Sequence, residues 1–178
     1  MTLNDILTSA LAQLDRGGDP QTLEAFAPRL TAYVNEAQAD IARAISFCRT
    51  ESVTPVNGII DLGSLERDCI RVLKTVQLGH EVRFTRGDTG CVALPYNEQA
   101  LITYVCVPKP LALPADVSEL PAYTHGLLVG YAVARERMAG DVSTQRGANI
   151  YLSMYEAAKA RLRPHPGDAE SYRLINRY

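Results

Sequence analysis

His80, His125 and His165 are the side chains best suited to move protons near neutral pH. A hydrolytic or proton-transfer site would need one of them to converge with a carboxylate such as Glu81 or Glu136. None sits in a setting built for catalysis. His80 falls in a turn between strand-like runs, His125 in the first turn of a helix, and His165 between Pro164 and Pro166. The chain has no G-x-S-x-G elbow, no G-x-x-x-x-G-K-[ST] phosphate loop, no H-E-x-x-H and no G-x-G-x-x-G. Cys48, Cys69, Cys91 and Cys106 lie 15 to 22 residues apart with no C-x-x-C pair, a spacing that matches no familiar zinc site. They read as small core residues with free thiols. Arg135, Arg137 and Arg146 around Glu136 resemble a basic pocket, but arginines near a helix C-terminus also complement its dipole. Arg86-Gly87-Asp88 reads as a hairpin turn, and Tyr123, Tyr131, Tyr151 and Tyr155 as core filling with hydrogen-bonded hydroxyls. The expectation is therefore no enzyme, no catalytic residue, no cofactor and no metal.

The elements that carry these groups follow from the apolar period. Leu3, Ile6, Leu7, Ala10, Leu11 and Leu14 recur at helical spacing, and Arg16-Gly17-Gly18-Asp19-Pro20 ends that helix. Leu30, Val34, Ala37, Ile41, Ala44 or Ile45, and Cys48 define a second helix, placed from Pro28 because proline is tolerated in a first turn. From Glu51 the period shortens toward two. Strands are expected over Ser52–Val56, Gly58–Asp61, Cys69–Leu78, His80–Thr85, Cys91–Leu94 and Ala100–Val107, with turns at Asn57-Gly58 and Leu78-Gly79. In the third of these, Ile70, Val72 and Val76 are assigned to one face and Arg71 and Leu73 to the other. Prolines 108, 110, 114 and 121 mark an extended surface connection. Helices return over Pro121–Ala139 and Ser143–Arg163 as a hairpin, the last with a stripe of Ile150 or Tyr151, Met154, Tyr155, Ala158 and Leu162.

The predicted fold class is α+β: a helical bundle, made of a long helix in the N-terminal half and a C-terminal helical hairpin, with an inserted antiparallel β-sheet or small β-sandwich. Residues 1–50 and 108–163 form the helical body, 51–107 the β-rich insertion, and 164–178 a C-terminal tail. That tail holds Tyr172, Leu174, Ile175 and Tyr178, which either cover the core or dock on a neighbouring chain.

Size and charge narrow the function. A chain of 178 residues can bury roughly 70% of its unfolded surface. Its 47% hydrophobic and 21% charged content exclude wholesale disorder and fibrous repeats. Eighteen basic against 20 acidic residues leave a net charge of −2 and no global attraction for a phosphate backbone. Thr2 to Asp15 alternates apolar and polar residues, so no signal peptide is expected, and no run approaches the roughly 20 apolar residues of a membrane span.

Val105-Cys106-Val107-Pro108-Lys109-Pro110-Leu111-Ala112-Leu113-Pro114, followed by Leu120-Pro121 and Leu127-Leu128-Val129-Gly130-Tyr131-Ala132, resembles the head-to-tail connector (adaptor) proteins of tailed bacteriophages. So do Tyr33-Val34-Asn35-Glu36-Ala37-Gln38 and the closing Tyr151–Arg161 helix. The resemblance covers about Thr22 to Arg163. It implies a structural subunit of the virion neck, made in the bacterial host cytoplasm, that forms a ring, usually of twelve copies. That ring would join the portal protein to the next neck or tail-completion protein and extend the DNA channel, DNA passing through without sequence-specific binding. The aromatic tail is not itself a feature of that family; the adaptor hypothesis adds that Tyr172, Leu174, Ile175 and Tyr178 dock on the portal, a ring neighbour or the next neck protein. Two rival readings differ in class. A binding module would expose an aromatic groove of Phe84, Tyr96 and Tyr104 on the β insertion, and an enzyme would bring His80 or His125 onto Glu81 or Glu136.

Overall fold

The computed structural model describes residues 1–17, 19–87, 90–139 and 148–162. The protein is α+β, with four α-helices and two antiparallel sheets among the described residues. The chain divides into two compact units, one built from residues 1–44 and 108–162 and the other from residues 45–107.

In the first unit, α1 (Leu3–Gln13) starts at a reciprocal cap. Thr2 Oγ1 accepts from the Asp5 N–H at 3.2 Å, and Asp5 Oδ2 accepts from the Thr2 N–H at 2.9 Å. The helix buries Leu3, Ile6, Leu7, Ala10 and Leu11, the stripe its sequence spells out. Helix α2 (Pro20–Ile45) begins a full two turns before the predicted Pro28. The reason is local: Asp19 Oδ1 accepts from the Thr22 N–H at 2.9 Å, so Asp19-Pro20 is an N-cap followed by proline in the first turn. Pro28 consequently sits inside the helix, where it is exposed and forfeits one backbone bond. The helix also stops at Ile45, because Cys48 already belongs to a strand. Its buried stripe is Leu30, Val34, Ala37, Ile41, Ala42 and Ile45.

Pro121 is extended (φ −56°, ψ 142°) and stands outside the next helix. A 3-10 turn, Ala122–Thr124, leads into α3 (His125–Ala139). Helix α3 buries Leu128, Val129, Tyr131, Ala132, Val133 and Ala134, more than one stripe, because both α1 and α4 (Ala148–Ala160) pack against it. Of the predicted start of α4, Ser143 lies outside the described residues, and the helix ends at Ala160 rather than Arg163.

Among its described residues the second unit holds seven strands: β1 (Cys48–Val53), β2 (Ile59–Asp61), β3 (Cys69–Gln77), β4 (His80–Glu81), β5 (Thr85–Arg86), β6 (Cys91–Ala93) and β7 (Ala100–Cys106). One sheet runs β1-β7-β3-β4 and the other β2-β6-β5, all antiparallel. Ile60, Val72, Val92, Ile102, Tyr104 and Cys106 from the two sheets, with Leu94 just after β6, share one core. Two turns formed where the sequence placed them. Asn57 (φ 55°) and Gly58 (φ 73°) reverse the chain between Val56 and Ile59, and Leu78 (φ 54°) and Gly79 (φ 78°) do so between β3 and β4. The predicted faces of β3 do not hold. Bulges between Cys69 and Arg71 and between Val72 and Lys74 each insert a residue and flip the alternation, so Val72, Thr75 and Gln77 are buried while Ile70 and Leu73 are exposed.

Candidate assembly surfaces

The proline-rich connection runs across the surface, most of it exposed, and is pinned there by side chains. Asn35, half-buried on α2, donates from Nδ2 to the Leu111 carbonyl at 3.0 Å and accepts the Leu111 N–H on Oδ1 at 2.8 Å. One turn on, Gln38 Oε1 accepts from Ser118 Oγ at 2.8 Å, and its Nε2 donates to Asn35 Oδ1 at 3.0 Å. The start of α1 completes the clamp, with Leu3 N–H donating to Asp116 O and Asn4 N–H to Pro114 O. Asp116 Oδ2 accepts both the Ala112 and Leu113 N–H groups, which hold its carboxyl below the usual carboxylate range. Leu111 and Leu120 are buried as a result. Of the clamp residues, Asn35, Gln38, Leu111 and Asp116 fall within the stretches 33–38 and 105–116, whereas Leu3, Asn4 and Ser118 lie outside the quoted motifs. Nothing in their spacing announced the clamp; the one available signal was an asparagine inside a helix, where that residue is a poor former unless its amide has a partner.

A second polar cluster ties α2 to α3 and α4. Tyr155 Oη donates to Asp40 Oδ2 at 2.6 Å, and Lys159 Nζ donates to the same oxygen at 2.7 Å and to Glu156 at 3.0 Å. Burial alone would raise the Asp40 carboxyl, but these two donors outweigh it and hold it below its ordinary value. Burial would likewise lower Lys159, yet its bonds to Asp40 and Glu156 win and raise it. Burial and then Asp40 push Tyr155 far above the ordinary phenol range, while burial and then Glu36 push Tyr131 up to about 12. The two rings meet at 4.8 Å between centroids. Arg135 pairs with Glu36 at 3.5 Å and lies over Tyr33, and Arg137 donates to the Gln13 carbonyl and lies over Tyr151. These arginines join helices in place of lining a pocket; Arg146 lies outside the described residues.

The histidines and carboxylates of the enzyme reading are not brought together on α3. His125 is buried; its Nε2 donates to the Leu120 carbonyl at 2.9 Å, which leaves Nδ1 to accept from the Met1 ammonium at 3.0 Å. Glu136 stands eleven residues along α3, roughly 16 Å at 1.5 Å per residue, and pairs with Arg29 at 3.0 Å. His80 and Glu81 are exposed neighbours in β4, and Glu81 reaches toward Lys74 at 3.9 Å. His165 lies outside the described residues, as do the docking candidates Tyr172, Leu174, Ile175 and Tyr178. No three His, Cys, Asp or Glu side chains among the described residues come together as a metal-holding group. Likewise, no described helix is long and apolar enough to cross a membrane.

The aromatic trio of the binding-module reading separates too. Tyr104 is fully buried and donates to Glu51 Oε2 at 2.9 Å, burial and that bond lifting its hydroxyl above the ordinary range. Phe84 packs against the core, and only Tyr96 is exposed. Exposed large apolar side chains occur instead as two sets. The first unit presents Met1, Leu113, Val117, Tyr123, Met138, Ile150 and Met154; the second presents Val56, Ile59, Ile70, Leu73, Leu78, Tyr96 and Leu101. On α4 the predicted stripe splits, Tyr155 facing inward while Ile150 and Met154, one turn apart, are 64% and 65% exposed.

Compared with models of known protein families and with curated proteins, the chain matches none.

Proposed function

We propose that this protein is a structural subunit of a tailed-phage neck, a ring adaptor joining the portal to the tail-side neck proteins and lengthening the DNA channel. In this reading α2, α3 and α4 form a helical-bundle body, and the β-rich unit and the tail reach the neighbours. The observation that carries it is that both units expose large apolar side chains, among them Ile150 and Met154 one turn apart on α4 and Ile70 and Leu73 on β3. A closed ring is built from heterologous contacts, one patch of a subunit meeting a different patch of the next, so each subunit needs two adhesive faces. The slightly acidic net charge supports the same reading, since a channel wall that lets DNA slide must not hold phosphate.

The test is the solution mass of the purified protein, alone and mixed with a portal ring from the same genome. A ring-sized assembly or portal-dependent co-migration is expected. A monomer that ignores the portal overturns the proposal. Deleting 168–178 separates the tail's part in it: the shortened chain should fold and fail to dock, and normal docking would remove the tail from the interface.

A further inference from the structure

Cys69 opens β3 and Cys106 closes β7, and the two stand directly opposite in the antiparallel ladder. The hydrogen bonds around them define the kind of pair they make. The Cys106 N–H donates to the Phe47 carbonyl, just ahead of β1, at 2.9 Å, whereas the Val107 N–H donates to the Asp68 carbonyl at 3.1 Å. Backbone groups alternate sides along a strand, so Cys106 directs its own away from β3. Cys69 and Cys106 are therefore a non-hydrogen-bonded pair, the kind whose Cα atoms approach to about 4.5 Å with side chains closest. A disulfide spans Cα separations of roughly 4.4–6.8 Å. Both side chains share the inner face of the sheet, Cys106 fully buried in the core and Cys69 packed against it with part of its surface open.

We propose that Cys69 and Cys106 are a redox-modification site that closes to a reversible cross-strand disulfide, clamping β3 to β7. Cys69, the more exposed, is the entry thiol. Its thiolate attacks one sulfur of a small disulfide, RSSR, breaking the S–S bond, releasing one RSH and leaving a mixed disulfide. Cys106 then loses its proton and attacks Cys69 Sγ, displacing the second RSH. Two protein thiols lose two electrons, and RSSR gains them as two RSH; a dithiol reductant reverses the step. The other two cysteines have no such position. Cys48 stands opposite Val105 on the alternate face, and Cys91 opposite Asp61 in the second sheet.

The full-length protein is incubated with excess oxidised glutathione, then denatured, alkylated with a maleimide and mapped without reduction. Alkylatable thiols should fall from the four of the sequence to two, with the Cys69 and Cys106 peptides joined. The Cys48→Ser/Cys91→Ser double variant should keep the cross-link, and Cys69→Ser, at a partly exposed site, should lose it while keeping the native circular dichroism. Four remaining thiols, a glutathione adduct on Cys69 that does not close, or a bond involving Cys48 or Cys91 would each overturn the proposal.

Discussion

Asn35 and Leu111, 76 residues apart, are joined by two hydrogen bonds from a single side-chain amide, one to the Leu111 carbonyl and one from its N–H. An asparagine can do this because its amide carries a donor and an acceptor side by side, as a strand neighbour's backbone would. The proline run cannot supply such a neighbour from its own backbone, so a helix side chain stands in for one.

Replacing Asn35 with Ala should cost about 2–4 kcal/mol, since Leu111 is buried and both of its backbone groups would lose their partner. Urea unfolding reads this as a lower midpoint. A loss below about 1 kcal/mol would mean that water replaces the amide.

Two turn positions carry predictions of opposite sign. Leu78 holds a left-handed conformation with its side chain exposed, a strain of roughly 1–2 kcal/mol for most residues that Asn tolerates. Leu78→Asn should therefore stabilise by about 0.5–1 kcal/mol. Gly58→Ala should destabilise by about 2 kcal/mol, because a Cβ there would stand 2.9 Å from the Leu94 carbonyl oxygen at a φ of +73°. Thermal or urea melts of the two variants that shift the same way would refute this account of the hairpins.

The Asp40 cluster should give stability a two-sided pH profile. The Asp40 carboxyl is held below its ordinary 3.8 in the folded state, so its contribution is complete above that value and lost as pH falls through the folded one. Tyr131, Tyr155 and Lys159 are raised above their ordinary 10.0 and 10.5, so theirs is complete below those values and lost as pH climbs through the folded ones, about 12 for Tyr131. The stability difference between wild type and Asp40→Asn should be widest near neutral pH and shrink on both sides. Urea midpoints across pH 3–11.5 check it, and a difference that stays constant would show that the cluster contributes only packing.

Ile150→Asp combined with Met154→Asp changes side chains that are mostly exposed, so unfolding should shift by no more than about 0.5 kcal/mol. On the adaptor reading the double variant should fail to assemble or to bind the portal. Assembly at wild-type strength, measured by light scattering, would remove this face of α4 from the interface.

The start of α2 and the faces of β3 are where sequence and structure part. Asp19-Pro20 belongs to a stretch that reads as a helix stop, and it is also the next helix's start, because Asp19 caps the Thr22 N–H. An apolar pattern locates a stripe without saying which end of it is capped. The alternation of β3 assumes one residue per partner position, and two bulges break that assumption.

What the sequence by itself determined is local. Helix stripes such as Leu3 to Leu11 and Leu30 to Ile45, and the turns at Asn57-Gly58 and Leu78-Gly79, depend on backbone preference and periodicity within a few residues. The tertiary structure alone decided the contacts between segments far apart in the chain: Asn35 on Leu111, Tyr155 on Asp40, and Cys69 opposite Cys106. It also decided that Tyr155 turns inward while Met154 stays in solvent. Period reports that a face is apolar, but only the packing of other elements selects which residues on it are covered and which polar atoms meet.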